Sequence, residues 1–344
     1  MVTASAPGKV YLFGEHAVVY GEPAVPCAIR RRARVTVTTR DDDRVRVRAN
    51  DLSVQGLVVE YEGDLAGAVD VGADRTLAAA ATSYVGEAVR QARDAAGRPS
   101  AGVDVRVESE IPLGAGLGSS AAVSVATVAA AGRALGATLD REAVAERAYR
   151  VEREVQAGGA SRSDTFCSAT GGAVRVAGED CRSIEAPDLP LVVGFDGGGG
   201  DTGELVARVR ELRERYDFAA DTVAAVGDLV REGERALADG DLAAVGRLMD
   251  VDHGLLSALG VSARSLDAMV WAARDAGAHG AKLTGAGGGG CIVALDDSAD
   301  TLRALELLPD CQTAFRAELD GDGVRLDDAT TAASPATDGT GGES

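Results

Sequence analysis

Apolar and polar positions alternate early in the chain and give way to longer helical stretches later. Residues 2–6 read as a strand running into Pro7-Gly8. Residues 34–39 and 45–48 alternate on either side of Asp41-Asp42-Asp43, which predicts a hairpin turning on the three aspartates. Residues 51–74 are Gly- and Asp-rich and read as mostly irregular. Residues 77–96 have helical character and stop at Gly97. Residues 103–107 alternate as a strand. Ser119–Leu135 is small and apolar on most faces, as expected of a helix buried all round. Asp140 stands where it can cap a helix from Arg141 to about Val155.

Strands are expected at 171–176 and 191–195, then helices at 202–215, 218–238, 241–256 and 262–276. Residues 281–283 and 291–294 read as strands around a Gly-rich turn, 298–308 as a helix, and 312–318 with 323–327 as a final strand pair. From residue 329 the chain is Ala, Thr, Ser, Gly and Asp, with too little apolar content to fold, so 329–344 is expected to be a disordered tail. Strand-rich early and helix-rich late, without regular βαβ alternation, the pattern predicts an α+β fold in two lobes.

Composition narrows the function. A chain of 344 residues, 46% hydrophobic, can bury a sizeable core. A formal net charge of −19 argues against a nucleic-acid footprint and against docking on an anionic membrane. No apolar run reaches about 18 residues and no signal-peptide pattern opens the chain, so a cytoplasmic protein without a membrane partner is expected. Lysine occurs only at Lys9 and Lys282; the remaining positive charge is arginine. Abundant carboxylates with almost no lysine read as a halophilic surface, because high salt screens the self-repulsion, or else as a merely acidic protein with arginine-biased codons. The five cysteines are scattered without metal spacing and suit a reducing compartment.

Four segments carry candidate chemistry. Pro112-Leu113-Gly114-Ala115-Gly116-Leu117-Gly118-Ser119-Ser120-Ala121-Ala122 opens a glycine loop into a helix start, where free N–H groups and the helix dipole favour phosphate. A dinucleotide fingerprint is disfavoured, with Ser119 at the third glycine position and no acidic residue before Asp140. A Walker loop is disfavoured because no lysine follows. A tight turn that merely packs closely stays open. The second segment, Ala6-Pro7-Gly8-Lys9 with Gly14-Glu15-His16, places a compact ammonium where arginine's fork is no equivalent. In the third, Asp164 follows a Gly/Ser turn, placed to reach a substrate hydroxyl or simply to cap a turn. The fourth, Lys282-Leu283-Thr284-Gly285-Ala286-Gly287-Gly288-Gly289-Gly290-Cys291, allows close backbone approach. Gly197–Gly200 reads only as a mobile loop beside Asp201-Thr202.

In order and spacing these motifs resemble the GHMP kinase superfamily over residues 2–327, and the Gly14-to-Gly21 motif resembles its mevalonate kinase branch. The resemblance implies an N-terminal ribosomal-S5-like lobe (1–187), a C-terminal α+β lobe (188–328) and a cleft between them. It implies ATP and Mg²⁺, with the 5-hydroxyl of (R)-mevalonate as phosphoryl acceptor in isoprenoid synthesis. The loop 112–122 would wrap the ATP phosphates and Ser120 would coordinate Mg²⁺. Asp164 would accept the hydroxyl proton with Lys9 beside it. Glu15 and His16 would lie near the substrate, and Gly285 and Gly287 would line its pocket. The family's Mg²⁺-binding glutamate falls at Arg153, flanked by Glu152, the expected ligand, and Glu154, the alternative. The loop Ala157-Gly158-Gly159 runs one residue longer than usual. A homodimer is the assembly allowed for. The rival readings are a phosphomevalonate or sugar kinase, with Arg162 and Arg30–Arg32 as the extra cations a phosphorylated acceptor needs, and a non-catalytic ATP/metabolite sensor.

Overall fold

The computed structural model describes residues 1–49, 57–61, 75–112, 114–156, 160–296 and 298–327, with backbone alone at 49, 57–61 and 75–82. The expectations for residues 51–56 and 62–74, for Leu113, for the loop 157–159 and for the tail therefore lie outside the described residues.

The strands are β1 (Val2–Phe13), β2 (Val25–Thr39), β3 (Val45–Ala49), β4 (Leu57–Tyr61), β5 (Val103–Ser109), β6 (Ala173–Ala177), β7 (Asp180–Ile184), β8 (Leu191–Phe195), β9 (Gly280–Thr284), β10 (Cys291–Leu295), β11 (Thr313–Ala317) and β12 (Arg325–Asp327). The helices are α1 (Arg75–Ala96), α2 (Ser119–Leu135), α3 (Arg141–Val155), α4 (Ser163–Thr170), α5 (Thr202–Arg215), α6 (Asp217–Ala238), α7 (Leu242–Ala258), α8 (Arg264–Asp275) and α9 (Asp300–Leu307). One sheet runs β12-β1-β2-β5-β3-β4, with β6 on β2 and β7 on β6; the other runs β11-β8-β10-β9. Among the described residues no helix is long and apolar enough to cross a membrane.

Elements governed by local signals form as expected. Asp140 caps α3 by accepting from the Ala143 N–H at 2.8 Å, and Gly97 ends α1 with φ 63°. The small residues of α2 let it pack against β1, β2, α1 and α3 at once. Its Val125 and Val128 are fully buried, each contributing about 1.5–3 kcal/mol.

Partners of strands differ from the reading. The expected hairpin does not form: β5 lies between β2 and β3, antiparallel to β2 and parallel to β3. Thr39 and Val45 both sit opposite Val103, so the aspartate turn steps over the end of β5 instead of folding back. Alternation marks which face is buried, not which strand is the neighbour. The final strand pair also fails, because β11 joins β8 while β12 crosses to the first sheet and pairs with β1. Asp320, 1% exposed, anchors that crossing through an ion pair with Arg32. β1 continues past Pro7, because the register against β2 shifts between Pro7 and Gly8, a bulge that tolerates proline's missing N–H.

Candidate active site

The glycine loop forms the floor of the site. Gly114, Gly116 and Gly118 all take positive φ, at 71°, 79° and 72°, and Gly118 begins α2 without any side-chain cap. The first N–H groups of α2 thus remain available to an anion at the positive end of the dipole. Glycine is required at Gly116 and Gly285 because the two loops touch backbone to backbone. A Cβ on Gly116 would lie 2.9 Å from the Thr284 carbonyl oxygen, and one on Gly285 would lie 2.8 Å from the Gly116 Cα.

Strand β1 delivers Lys9 onto this loop. Its backbone N–H donates to the Leu117 carbonyl at 2.9 Å, and its Nζ donates to the Gly116 carbonyl at 2.8 Å. The same Nζ stands 3.2 Å from Asp164 Oδ2; the lysine side chain is 3% exposed and the aspartate 27%. Asp164 lies in the first turn of α4, a helix the sequence reading missed because its eight residues are short and polar. Ser168 pins α4 to β1 by donating to the Pro7 carbonyl at 2.7 Å. Tyr11, two residues along β1 from Lys9, donates its hydroxyl to Asp164 Oδ1 at 2.8 Å.

Beside this group, Ser120 Oγ donates to Glu152 Oε1 at 3.1 Å. Glu152 is buried while Glu154 is exposed. Burial, reinforced by repulsion from Asp164, pushes the Glu152 carboxyl up to about 8.

Glu15 faces a different environment. Its Oε1 pairs with Lys282, which also lies 3.5 Å from Asp252 Oδ2 and donates to the Leu283 carbonyl at 2.7 Å. All three charged side chains are sealed, none above 2% exposed. Burial raises the Glu15 carboxyl to about 7, with Lys282 pulling it down and Asp252 pushing it up; burial likewise raises Asp252. Next to it, His16 is the one non-glycine with positive φ among the described residues, at 59°. Its Nε2 lies 2.8 Å from the Ala286 carbonyl oxygen, and burial lowers its pKa, so the ring is neutral and Nε2–H is the donor.

One cavity of about 330 Å³ is bounded by Lys9, Glu15, His16, Pro112, Gly114, Ala115, Gly116, Leu117, Gly118, Ser119, Ser120, Glu152, Asp164, Gly285 and Gly287. Ala121 and Ala122 are fully buried behind it and do not line it. The cluster Gly197–Gly200 is not a free loop. A Cβ on Gly199 would lie 2.4 Å from the Gly114 carbonyl oxygen and one on Gly200 2.2 Å from that of Gly287, and Gly200, Thr202 and Val206 form part of the cavity wall. The four arginines considered for a phosphorylated acceptor do not line the cavity. Arg30 pairs with Glu318, Arg32 with Asp320 and Arg162 with Glu146, while Arg31 stacks on Phe315.

Known proteins share this sequence and fold. The GHMP kinase N-terminal domain model matches residues 83–172 and the C-terminal model residues 234–306. Mevalonate kinase of Thermococcus gammatolerans is 40% identical over 334 residues, covering 95% of this chain and 98% of that protein. The chain belongs to the GHMP kinases, in the mevalonate kinase family. Two solved members have the same fold. Methanococcus jannaschii mevalonate kinase has 26% identity and a TM-score of 0.75, covering 92% of this chain and 98% of that one. L. major mevalonate kinase, solved in complex with R-mevalonate, has 24% identity and a TM-score of 0.72, covering 92% and 94%. As a GHMP kinase the chain is an ATP-using phosphotransferase with the expected α+β fold. Sequence reasoning gave Tyr11 and Asp252 no role in it, and took Lys282 only as the first residue of a glycine-rich motif supporting the loop and pocket. Lys282 carried a usable signal, being the second lysine in a chain that otherwise uses arginine.

Proposed function

We propose that the cavity binds ATP and (R)-mevalonate and that the chain transfers the γ-phosphoryl group to the mevalonate 5-hydroxyl. The observation that carries this reading is the Lys9–Asp164 pair at 3.2 Å, opening onto the same cavity as the uncapped N-terminus of α2. The loop 112–122 grips the triphosphate through backbone N–H groups. The acceptor oxygen forms a bond to the γ-phosphorus as the bond from phosphorus to the β–γ bridging oxygen breaks, and ADP leaves with the electron pair. The hydroxyl proton passes to Asp164. Lys9 neutralises charge on the transferring group, and positioning supplies most of the rate.

Ser120 and Glu152 fit Mg²⁺. They offer a hydroxyl and a carboxylate, hard oxygen donors of the kind this cation takes together with phosphates and waters. Burial raises the Glu152 carboxyl with only partial relief from Ser120 and Lys9, so a divalent cation there would offset its desolvation. When bound, Mg²⁺ would be held by Ser120 and Glu152 and would supply neutralisation of phosphate charge.

A neutral hydroxyl acceptor is favoured over a phosphorylated one, because the arginines that could meet a second phosphate are all engaged elsewhere. The reading extends to a two-domain division at residues 187 and 188, with the last strand returning to the first sheet. It also takes the chain as a cytoplasmic enzyme of a high-salt cell: both lysines are buried, leaving arginine as the surface cation.

ADP formation with mevalonate, phosphomevalonate and galactose, each at high and low KCl, tests these points together. Turnover with mevalonate alone, higher in high KCl, is expected. Preference for phosphomevalonate or galactose overturns the acceptor, and equal rates in both salts overturn the salt adaptation.

A further inference from the structure

Asp164 is held by two different donors, one on each oxygen. Lys9 takes Oδ2 at 3.2 Å. The Tyr11 hydroxyl takes Oδ1 at 2.8 Å. Lys9 and Tyr11 are two apart on β1, so they project from one face of the strand and converge on one carboxylate. Tyr11 is itself fixed: it is 6% exposed, its backbone N–H donates to Thr284 Oγ1 at 2.7 Å, and the Lys9 ammonium sits 4.4 Å from its ring centroid. Burial, with the Asp164 charge added, raises the phenol well above its usual value, so the hydroxyl keeps its proton and can only donate to the carboxylate.

Resting on the phosphotransferase reading above, we propose that Tyr11 is a positioning residue for phosphoryl transfer. It occupies one oxygen of Asp164 and so turns the other, beside Lys9, towards the acceptor hydroxyl. The carboxylate then cannot rotate to present either oxygen at random, which sharpens the alignment of the acceptor.

Tyr11→Phe keeps the ring and removes only the donor. It should lower kcat about tenfold, the cost of one charge-assisted hydrogen bond of roughly 1.5 kcal/mol. KM for ATP and the thermal midpoint should be unchanged. In an Asp164→Asn background the same substitution should cost less than twofold. Unchanged kcat in Tyr11→Phe overturns the assignment. So does a loss of the same size in both backgrounds, or a loss accompanied by a lower thermal midpoint. The wider reading fails separately, if Asp164→Asn alone turns over normally.

Discussion

The two lysines of the chain occupy two carboxylate clusters built from the same parts, and access separates them. Lys9 pairs with an aspartate that is 27% exposed to the cavity. Lys282 pairs with Glu15 and Asp252 where nothing exceeds 2%. A carboxylate that can still meet a ligand is available for chemistry. One buried almost completely, with only Glu15 reaching the cavity wall, serves as a tie, here joining the loop after β1 to β9 and α7. The sealed cluster carries two acids against one ammonium, and the burden appears as the raised Glu15 and Asp252 carboxyls. In the open cluster the second acid's place is taken by a neutral hydroxyl, that of Tyr11.

The contrast breaks most sharply at Asp164. Asp164→Asn should lower turnover by roughly 10²–10⁴-fold, the range for a positioned acid–base group, while ATP affinity and the thermal midpoint hold. Steady-state ADP release and nucleotide titration check it, and turnover near wild type would remove Asp164 from the chemistry. Lys282→Met should do the reverse. It strands two buried carboxylates and should cost about 3–5 kcal/mol of stability, read by urea unfolding, with a far smaller loss of turnover in the molecules that remain folded. Adding Glu15→Gln and Asp252→Asn to that variant should restore part of the stability, because the buried charges then go together. If Lys282→Met unfolds no more easily than wild type, the cluster is not a tie.

Arginine substitutions sharpen the comparison further. The Lys9 stem runs beside Gly118, where even a Cβ would lie 3.0 Å from the Lys9 Cγ, so a planar fork cannot replace the ammonium without displacing the loop. Lys9→Arg should lower kcat by about tenfold, a loss of about 1.4 kcal/mol in transition-state stabilisation, with the thermal midpoint retained. Lys282→Arg should lower the midpoint instead. The opposite assignment of effects would reverse the roles given to the two clusters.

What the sequence could disclose follows from how local each signal is. The bounds of α2 and α3 are legible because periodicity, the Asp140 cap and Gly136 act within a few residues. Glu152 is distinguishable from Glu154 only once α3 is wound, when one faces Ser120 and the other solvent. The neighbours of β3 and β12 are illegible, because alternation is identical whichever strand lies alongside. Tyr11 is illegible for the same long-range reason: its partner lies 153 positions away on a helix too short to announce itself. The Gly197–Gly200 run looked like slack chain because the backbone it packs against, at Gly114 and Gly287, is distant in sequence.

The smallest expected effect separates the clusters by pH. Burial and Asp252 raise the Glu15 carboxyl from an ordinary 4.5 to about 7, so the folded state holds that proton more tightly than the unfolded chain. The stabilising contribution is complete below pH 4.5 and is lost as the pH climbs through 7. Relative to a Glu15→Gln variant, which carries no titrating group there, the wild-type thermal midpoint should fall by a few degrees between pH 4.5 and 7.5. Tyr11→Phe, altering the open cluster, should leave that difference untouched, since neither Glu15 nor Lys282 hydrogen-bonds to its hydroxyl. Midpoints recorded across this range at fixed KCl decide the matter. A constant gap between wild type and Glu15→Gln would mean that Lys282 keeps Glu15 ionised throughout, making the sealed cluster as fully charged as the open one.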